Sequence, residues 1–294
     1  MEWHSVMLPG MAAKPRIAIV GAGNLGTALA VSLNRAGYGI DAIVVRKGSK
    51  SRDGGKKLAK QVDAPLLSSL EGSEADIVWF CVPDAEVARA AGSVSAKFRG
   101  KGKIALHSSG ALTSDELSSL REKGAVVASV HPLMTFVRGS RPPLTGVSFA
   151  IEGDPKAVRV AREIVKDLGG HAYAIRKKDK AAYHAWGAFT SPLFTALLAT
   201  SEQVAMRAGV KRKEARLRSI PILLQTLANY ASFGAAGAFS GPLIRGDVDT
   251  IRRHMQALHD LPFGRDVYAA LVEAALEYLP SKNKSAIKKL LDSR

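Results

Sequence analysis

The sequence predicts an α/β N-terminal Rossmann domain, with a mostly parallel doubly wound sheet, followed by an all-α C-terminal domain. Short β-branched apolar runs alternate with helical segments in the first half of the chain. A G-x-G-x-x-G motif follows the first of these runs, and alanine- and leucine-rich segments replace the strands in the second half. The length of 294 residues also favours two domains over one large core.

Seven apolar segments in the first half are predicted strands. Continuous apolar runs of this length indicate strands that are buried on both faces of a parallel sheet. The predicted strands are Arg16–Val20, Ile40–Val45, Ile77–Val82, Ile104–His107, Ala125–Val130, Val147–Glu152 and His171–Ile175. A helix is predicted at Pro155–Leu168, because proline suits a first helical turn and two glycines follow the segment.

The sequence changes in character after Arg176-Lys177-Lys178. Long alanine- and leucine-rich segments with helical periodicity follow. The predicted helices are Ala181–Ala208, Lys213–Phe233, Thr250–Leu258 and Val267–Tyr278. We therefore predict a loose tail over residues 1–14, a nucleotide-binding domain over 15–177 and a helical domain over 178–294.

The motif Gly21-Ala22-Gly23-Asn24-Leu25-Gly26 lies between the first predicted strand and a helix predicted at Ala28–Ala36. In a dinucleotide-binding unit, the first glycine permits the tight turn and the second lets the backbone approach the pyrophosphate. The third lets the helix pack close to the strand, and the N–H groups of the helix N-terminus face the phosphates. The alternative is an ordinary strand–helix turn.

The end of the second predicted strand favours NADP(H) over NAD(H). An acidic residue at this position would bind the ribose 2′-hydroxyl of NAD. Here the strand is followed by Arg46 and Lys47, and the first carboxylate comes at Asp53. We expect Arg46 to stack on the adenine and pair with the 2′-phosphate, assisted by Lys47, Ser49 or Arg52. The alternative is a basic, solvated loop.

Polar residues and turns also follow the later strands. Ligands of such sheets bind at the carboxyl ends of the strands. We therefore expect Val82, Pro83, Ser108, Ser109 and His131 to line the nicotinamide end of the cofactor site. For His107 and His131 the alternative is a hydrogen-bonded core histidine, which we favour over a catalytic role.

These motifs resemble the Rossmann-like and DUF2520 domain-containing proteins, which are related to pyrroline-5-carboxylate reductase, F420-dependent NADP reductases and 6-phosphogluconate dehydrogenase-like enzymes. The resemblance covers about Arg16 to Tyr278. It rests on the glycine motif and on the segments Val82–Asp84, His107–Leu112, His131–Phe136, Tyr183–Ala185 and Gly241–Asp247, with Thr250 and His254. It implies a Rossmann domain, a helical domain and a homodimer built on the helices, but no substrate.

One position departs from this family. Pro192 stands where members tend to carry an asparagine, a residue that related dehydrogenases use to hold the substrate. The departure puts that role in doubt here. Ser191 is the neighbouring residue that could replace it.

The candidate catalytic residues lie in the helical half. On a continuous helix His184 and Ser191 would share a face, so His184 is the predicted general acid and Ser191 a positioning hydroxyl. Arg245 lies in a turn-rich loop and is predicted to bind a substrate carboxylate or phosphate. The alternatives are a structural hydrogen bond for His184 and an Arg245–Asp247 pair that fixes the loop. Asp247 is otherwise expected to cap the following helix.

Composition narrows the function classes. The net charge of +16 allows nucleic-acid binding, but the basic residues are dispersed and lack interleaved aromatics, so we expect no nucleic-acid partner. The sequence shows no metal-ligand signature and no membrane-spanning apolar run, and its single cysteine fits a cytoplasmic location.

The predicted function is an NADP(H)-dependent oxidoreductase that transfers hydride to a small carbonyl or imine in the interdomain cleft. The substrate is a small molecule that could be anionic. The alternative is a non-enzymatic NADP(H)-binding sensor or scaffold.

Overall fold

The structure, a computed structural model, describes residues 14–95 and 99–292. The predicted tail lies outside these residues, except for Lys14. The chain divides into two compact units between Ala188 and Phe189. The division comes later than the change in sequence character at residue 177, because Lys180 and Tyr183 pack against residues of the sheet.

The first unit contains one eight-stranded sheet with the order β3-β2-β1-β4-β5-β6-β7-β8. Its strands are β1 (Ile17–Val20), β2 (Ile40–Val44), β3 (Leu66–Leu67), β4 (Ile77–Phe80), β5 (Ile104–His107), β6 (Val126–Pro132), β7 (Ser148–Gly153) and β8 (His171–Ala174). Neighbours from β3 to β6 pair in parallel. β7 runs antiparallel to β6, and β8 is parallel to β7. The predicted mostly parallel, doubly wound sheet is confirmed.

Helices cover the sheet between its strands. They are α1 (Asn24–Arg35), α2 (Arg52–Gln61), α3 (Val87–Ser95), α4 (Ser118–Arg121), α5 (Pro155–Asp167) and α6 (Lys180–Thr190). Two apolar cores form, one on each face of the sheet. Consecutive strand residues alternate between them, so that Trp79 belongs to one core and Phe80 to the other.

The parallel strands place several chain segments at one edge of the sheet. The carboxyl ends of β1, β2, β4, β5 and β6 all lie there, because parallel strands point in the same direction. The glycine motif, Arg46, Pro83, Ser108 and His131 therefore lie along this edge, which we call the carboxyl edge.

The second unit is helical in the part of the chain that the structure describes. Its helices are α7 (Pro192–Arg207), α8 (Arg212–Ala238), α9 (Pro242–Arg245), α10 (Val248–Ala257), α11 (Gly264–Tyr278) and α12 (Lys284–Asp292). Helices α10, α11 and α12 share an apolar core that includes Ile251, Val272 and Ile287. The backbone of α8 kinks at Gly234, where φ is 68°.

The prediction of one helix over Ala181–Ala208 is wrong. The structure has two helices there, because Ser191 adopts φ −133° and ψ −78°, outside the helical region. The proline ring of Pro192 disfavours helical backbone at the residue before it, and proline itself suits the first turn of α7. The expected continuous face from His184 to Ser191 is therefore interrupted.

No helix within residues 14–95 and 99–292 combines the length and the apolar character needed to cross a membrane.

Candidate functional site

The glycine motif forms a tight turn between β1 and α1. Gly21 has φ 106°, and a Cβ atom there would lie 2.5 Å from the carbonyl oxygen of Cys81 on the neighbouring chain segment. A Cβ atom on Gly26 would lie 2.1 Å from the carbonyl oxygen of Gly21. Both positions therefore require glycine for steric reasons.

Gly23 differs from these two glycines. Its φ of −74° is open to any residue, and a Cβ atom built on it would meet no heavy atom within 4 Å. The chain itself therefore does not require glycine at this position. The space beside Gly23 adjoins the N-terminus of α1, where backbone N–H groups can bind an anion.

A cleft of about 1110 Å³ opens beside this turn, entirely within the first unit. Among the predicted cofactor-binding residues, it is lined by Gly21, Ala22, Gly23, Arg46, Val82 and Pro83. Ser49 and Ser51 contribute hydroxyl groups, and Arg89, Arg99 and Lys103 add positive charge. The cleft is large enough for an extended ligand, and its lining is suited to one that carries phosphates.

Arg46 and Arg89 meet the same carboxylate in this cleft. The Arg46 Nη2 atom lies 3.3 Å from Glu86 Oε2, and Arg89 donates to that same oxygen. The hydrogen bond from Arg89 and the positive charge of both arginines lower the pKa of Glu86. The structure thus places an anion between two guanidinium groups at the end of β2.

The other residues of the basic loop and glycine motif have different surroundings. Lys47 is exposed and does not line the cleft. The Arg52 Nη1 atom donates to the carbonyl oxygen of Val45 over 3.1 Å, which fixes the loop. Asn24 Nδ2 donates to the carbonyl oxygen of Phe136 over 3.0 Å, and Leu25 is half-buried. These contacts stabilise the loop and the first turn of α1.

A second group of polar residues lies where β5 and β6 reach the carboxyl edge. We call it the lysine cluster, and it consists of His107, Ser109, Gly110, Ser129, His131, Lys180, Tyr183 and His184. Lys180 has 1% of its surface exposed. Its Nζ atom donates to the Ser129 hydroxyl over 2.6 Å and to the Ser109 carbonyl oxygen over 3.2 Å.

Burial lowers the pKa of Lys180 to about 8, although the carboxylates of Glu152 and Asp84 act in the opposite direction. A buried ammonium with few hydrogen bonds is costly to maintain. Buried lysines with lowered pKa values are also found at functional sites. Lys180 is thus a candidate functional residue that our sequence analysis did not include.

His107 is held in a fixed orientation. Its Nδ1 atom accepts from the Ser109 N–H over 3.1 Å, so Nε2 carries the proton and donates to the Thr113 carbonyl oxygen over 3.0 Å. Burial lowers the pKa of His107 to about 4. This geometry is that of the hydrogen-bonded core histidine that the sequence favours at this position.

His131 and His184 face each other across Gly110. The two ring centroids are 6.2 Å apart, and a Cβ atom on Gly110 would lie 2.7 Å from His184 Cδ2 and 2.8 Å from His131 Nε2. His131 Nδ1 lies 2.7 Å from the hydroxyl of Tyr183. Burial and the nearby Lys180 charge lower the pKa of His131 to about 4, so its ring is neutral at pH 7. His184 is exposed.

The two serines predicted for the cofactor site are already engaged. The Ser108 hydroxyl accepts from the Trp79 indole N–H over 2.8 Å, within the buried core. The Ser109 hydroxyl accepts from the Leu112 N–H over 3.0 Å. Neither serine lines the cleft beside the glycine motif. Both hydroxyls thus organise the turn that follows β5.

In the second unit, Arg245 pairs with Asp247. The Arg245 Nε and Nη2 atoms each lie 2.9 Å from Asp247 Oδ2. Asp247 precedes α10, but its side chain makes no capping hydrogen bond with that helix. The pairing is the alternative that the sequence leaves open, and it leaves most of the Arg245 side chain exposed.

Several members of the site carry no simple sequence signal. Glu86 and Arg89 follow Pro83 by three and six residues, which places them near the carboxyl edge, but only the fold brings them to Arg46. Lys180 stands in a run of basic residues that reads as a solvated surface. A lysine one turn before His184 is the one available hint.

Within the described residues, no group of three or more histidine, cysteine or acidic side chains is arranged to hold a metal ion.

Comparison with known families matches two domain models to the chain. A Rossmann-like domain matches residues 10–132, and the domain of unknown function DUF2520 matches residues 147–275. The chain combines a Rossmann-like domain with a DUF2520 domain. The resemblance inferred from the motifs is therefore confirmed. No curated protein sequence matches the chain.

Solved structures share the fold of this chain along most of its length. A Bacteroides fragilis protein assigned as an NADP oxidoreductase superposes with a TM-score of 0.73 at 20% identity, covering 89% of this chain and 98% of that one. A reductive aminase from Aspergillus terreus, in complex with NADPH and ethyl-5-oxohexanoate, gives 0.64 at 16% identity, covering 94% and 99%. A pyrroline-5-carboxylate reductase from Coxiella burnetii gives 0.59 at 13% identity, covering 94% and 98%.

Proposed function

We propose that this protein is an NADP(H)-dependent oxidoreductase that reduces a small carbonyl or imine compound. One observation carries the proposal. The phosphate-suited cleft beside the glycine motif and the lysine cluster lie along the same carboxyl edge of one sheet. A dinucleotide that enters the cleft by its adenosine half would extend along this edge toward the cluster.

The residues of the cleft fit NADP(H). Gly23 leaves open space beside the N-terminus of α1 for a pyrophosphate, and Arg46 lies where β2 ends, the position that contacts the 2′ substituent of the ribose. Reductases of the same fold have been determined with NADPH or NADP⁺. We therefore favour NADP(H) over NAD(H).

The lysine cluster supplies the groups that a reduction requires. The bound dinucleotide supplies a hydride, and the substrate oxygen or nitrogen must then take a proton. His184 is exposed and lies beside Gly110, so it is the proposed proton donor. The buried Lys180 ammonium holds the Ser109 and Ser129 segments in place and contributes positive charge where negative charge develops.

Two further residues remain proposals for substrate binding. Ser191, at the break between α6 and α7, would position the substrate through its hydroxyl. Arg245 would bind a substrate carboxylate or phosphate once part of its guanidinium group is no longer paired with Asp247.

The protein would act as a homodimer through its helical unit. Helix α8 has one buried residue, Ala215, and exposes large apolar side chains over most of its length. They include Leu217, Ile222, Leu224, Leu227, Tyr230 and Phe233. An exposed apolar surface of this kind marks a protein interface, and aromatic residues are enriched at the centre of such interfaces.

Turnover assays test the proposal. Purified protein is incubated with NADPH and a panel of keto acids, aldehydes and cyclic imines, and NADPH oxidation is followed by absorbance. We expect turnover with at least one compound, and a loss of about 10²-fold or more in His184→Asn while NADPH binding is retained. A His259→Asn variant, altered at an exposed position of the helical unit, is the control.

The second candidate is an NADP(H)-binding sensor or scaffold without catalysis. It is favoured by Pro192, which stands where members of the resembled family tend to carry an asparagine, and by the exposed apolar surface of α8. Tight NADPH binding with no oxidation across the panel, together with a change in oligomeric state on binding, would select this candidate.

A further inference from the structure

We propose that Glu86 sets the cofactor preference by occupying the anion position between Arg46 and Arg89, from which the 2′-phosphate of NADP(H) must displace it. This inference rests on the proposed function, since it requires a dinucleotide in the cleft. It assigns a selectivity role to two residues, Glu86 and Arg89, that lie outside the glycine motif and outside the basic loop.

The three side chains come from two different strand ends. Arg46 follows β2, whereas Glu86 and Arg89 follow β4, on a short 3₁₀ turn at Asp84–Glu86 and on the first turn of α3. A single carboxylate oxygen, Glu86 Oε2, accepts from Arg89 and lies 3.3 Å from Arg46 Nη2. All three residues line the cleft.

The two guanidinium groups can exchange one anion for another. Planar arginine forks bind carboxylates and phosphates in similar geometry, and a phosphate offers more acceptor oxygens and about twice the charge of a carboxylate. Both arginines have exposed side chains, with 69% and 60% of their side-chain surface accessible, against 31% for Glu86. The two arginine side chains can therefore reorient toward an incoming phosphate without unfolding the 3₁₀ turn.

The Glu86 carboxylate favours binding of a cofactor that lacks the 2′-phosphate. An acidic side chain near the adenosine ribose accepts hydrogen bonds from its hydroxyls, as in NAD-binding sheets. Glu86 would therefore weaken NADP(H) binding by competition and support NAD(H) binding by hydrogen bonding. Removing the charge of Glu86 would strengthen NADP(H) binding and weaken NAD(H) binding, so the preference for NADP(H) would increase.

Arg89 has a separate, testable role. Glu86 and Arg89 are three residues apart on neighbouring turns, so Arg89 holds the carboxylate close to Arg46 before the cofactor binds. Once the phosphate has displaced Glu86, Arg89 becomes a second phosphate ligand. The lining residues Arg99 and Lys103 add positive charge, and Glu71 is the other carboxylate of the cleft.

Binding affinities for four ligands, measured by isothermal titration calorimetry, test the inference. NADPH, NADH, 2′,5′-ADP and 5′-AMP are titrated into the wild type, Glu86→Gln and Arg89→Met. Glu122→Gln, which removes a carboxylate from an exposed position beyond α4, is the control. Melting temperatures of all variants are measured to establish that each is folded.

We expect Glu86→Gln to bind NADPH and 2′,5′-ADP about tenfold more tightly and NADH more weakly than the wild type. Arg89→Met is expected to lose about tenfold in affinity for the two ligands that carry a 2′-phosphate only. Equal shifts for the ligands with and without a 2′-phosphate, or no shift in a folded variant, would overturn this inference while dinucleotide binding stands. Absence of any dinucleotide binding by the wild type would overturn the proposed function and, with it, this inference.

Discussion

Lys180 donates a hydrogen bond of 2.6 Å to Ser129 at a point where neither side chain reaches solvent, with exposures of 1% and 0%. Ser129 lies on β6 directly beside His107 of β5, so the ammonium group sits under the carboxyl edge of the sheet. The neighbouring His107 and His131 both have pKa values lowered to about 4. Lys180 is therefore the cation around which the neutral histidines are arranged.

The first prediction concerns the pH dependence of this buried lysine. The pKa of Lys180 is about 8 in the folded protein and 10.5 in an unfolded chain. Below pH 8 both states are protonated and the burial penalty is fully present. Between these values the unfolded chain binds more protons, so folding stability rises with pH, by at most about 1.4 kcal/mol per pH unit.

Lys180→Met removes this contribution. Urea unfolding of the wild type and the variant at pH 7.5 and pH 9.5 should show the wild type gaining stability relative to the variant at the higher pH. Lys178→Met, at an exposed position, serves as the control. A wild-type–variant difference that is the same at both pH values would contradict the assigned pKa shift.

The second prediction concerns acid stability. The pKa of His131 is lowered to about 4 in the fold from 6.5, so between these values the unfolded chain takes up a proton that the folded protein does not. Stability therefore falls as pH decreases from 6.5 to 4, by up to about 1.4 kcal/mol per pH unit. Unfolding measured at pH 7 and pH 5 should show a smaller loss in His131→Phe than in the wild type. An equal loss in both proteins would rule out the shift, and the exposed His259→Phe should behave as wild type.

The third prediction separates two glycines of one motif. Gly26→Ala would place Cβ 2.1 Å from the Gly21 carbonyl oxygen, so we expect a loss of about 1–3 kcal/mol in the free energy of unfolding. Gly23→Ala meets no atom within 4 Å and should unfold at the wild-type denaturant concentration. Equal stability of Gly26→Ala and Gly23→Ala would show that the turn is less tightly packed than described.

The fourth prediction tests the apolar surface of α8. Leu217, Ile222 and Phe233 have 70%, 68% and 69% of their surface exposed in the single chain. We expect the wild type to sediment as a dimer and Ile222→Glu to sediment as a folded monomer, because a charge at the centre of an apolar interface is not compensated. Lys213→Glu, at the start of the same helix, should remain dimeric. A monomeric wild type would exclude the proposed assembly.

Strand positions are largely predictable because short apolar runs of β-branched residues rarely occur outside buried strands. The bounds predicted for Ile104–His107 agree with β5, and the others differ by one or two residues. The two-residue strand β3 (Leu66–Leu67) was missed, since so short a segment has no periodicity. Sequence patterns therefore predict the sheet but not its short edge strand.

The site was predictable only where the backbone decides it. The roles of Gly21 and Gly26 follow from steric exclusion, which the motif encodes. The positions of Lys180 and Glu86 depend on contacts between segments far apart in the chain, so no local pattern reveals them. The break at Ser191 was also missed, although Pro192 carried the signal, because the alanine-rich composition favoured one long helix.

The central claim, that NADP(H) binds at the β1–α1 turn, is tested most directly by titrating NADPH into the wild type and Gly23→Ala. The open space beside Gly23 is available to the pyrophosphate, and a methyl group there would fill it without disturbing the chain. We predict that the wild type binds NADPH and that Gly23→Ala loses at least about tenfold in affinity at an unchanged melting temperature. No binding by the wild type, or equal binding by both proteins, would contradict the account.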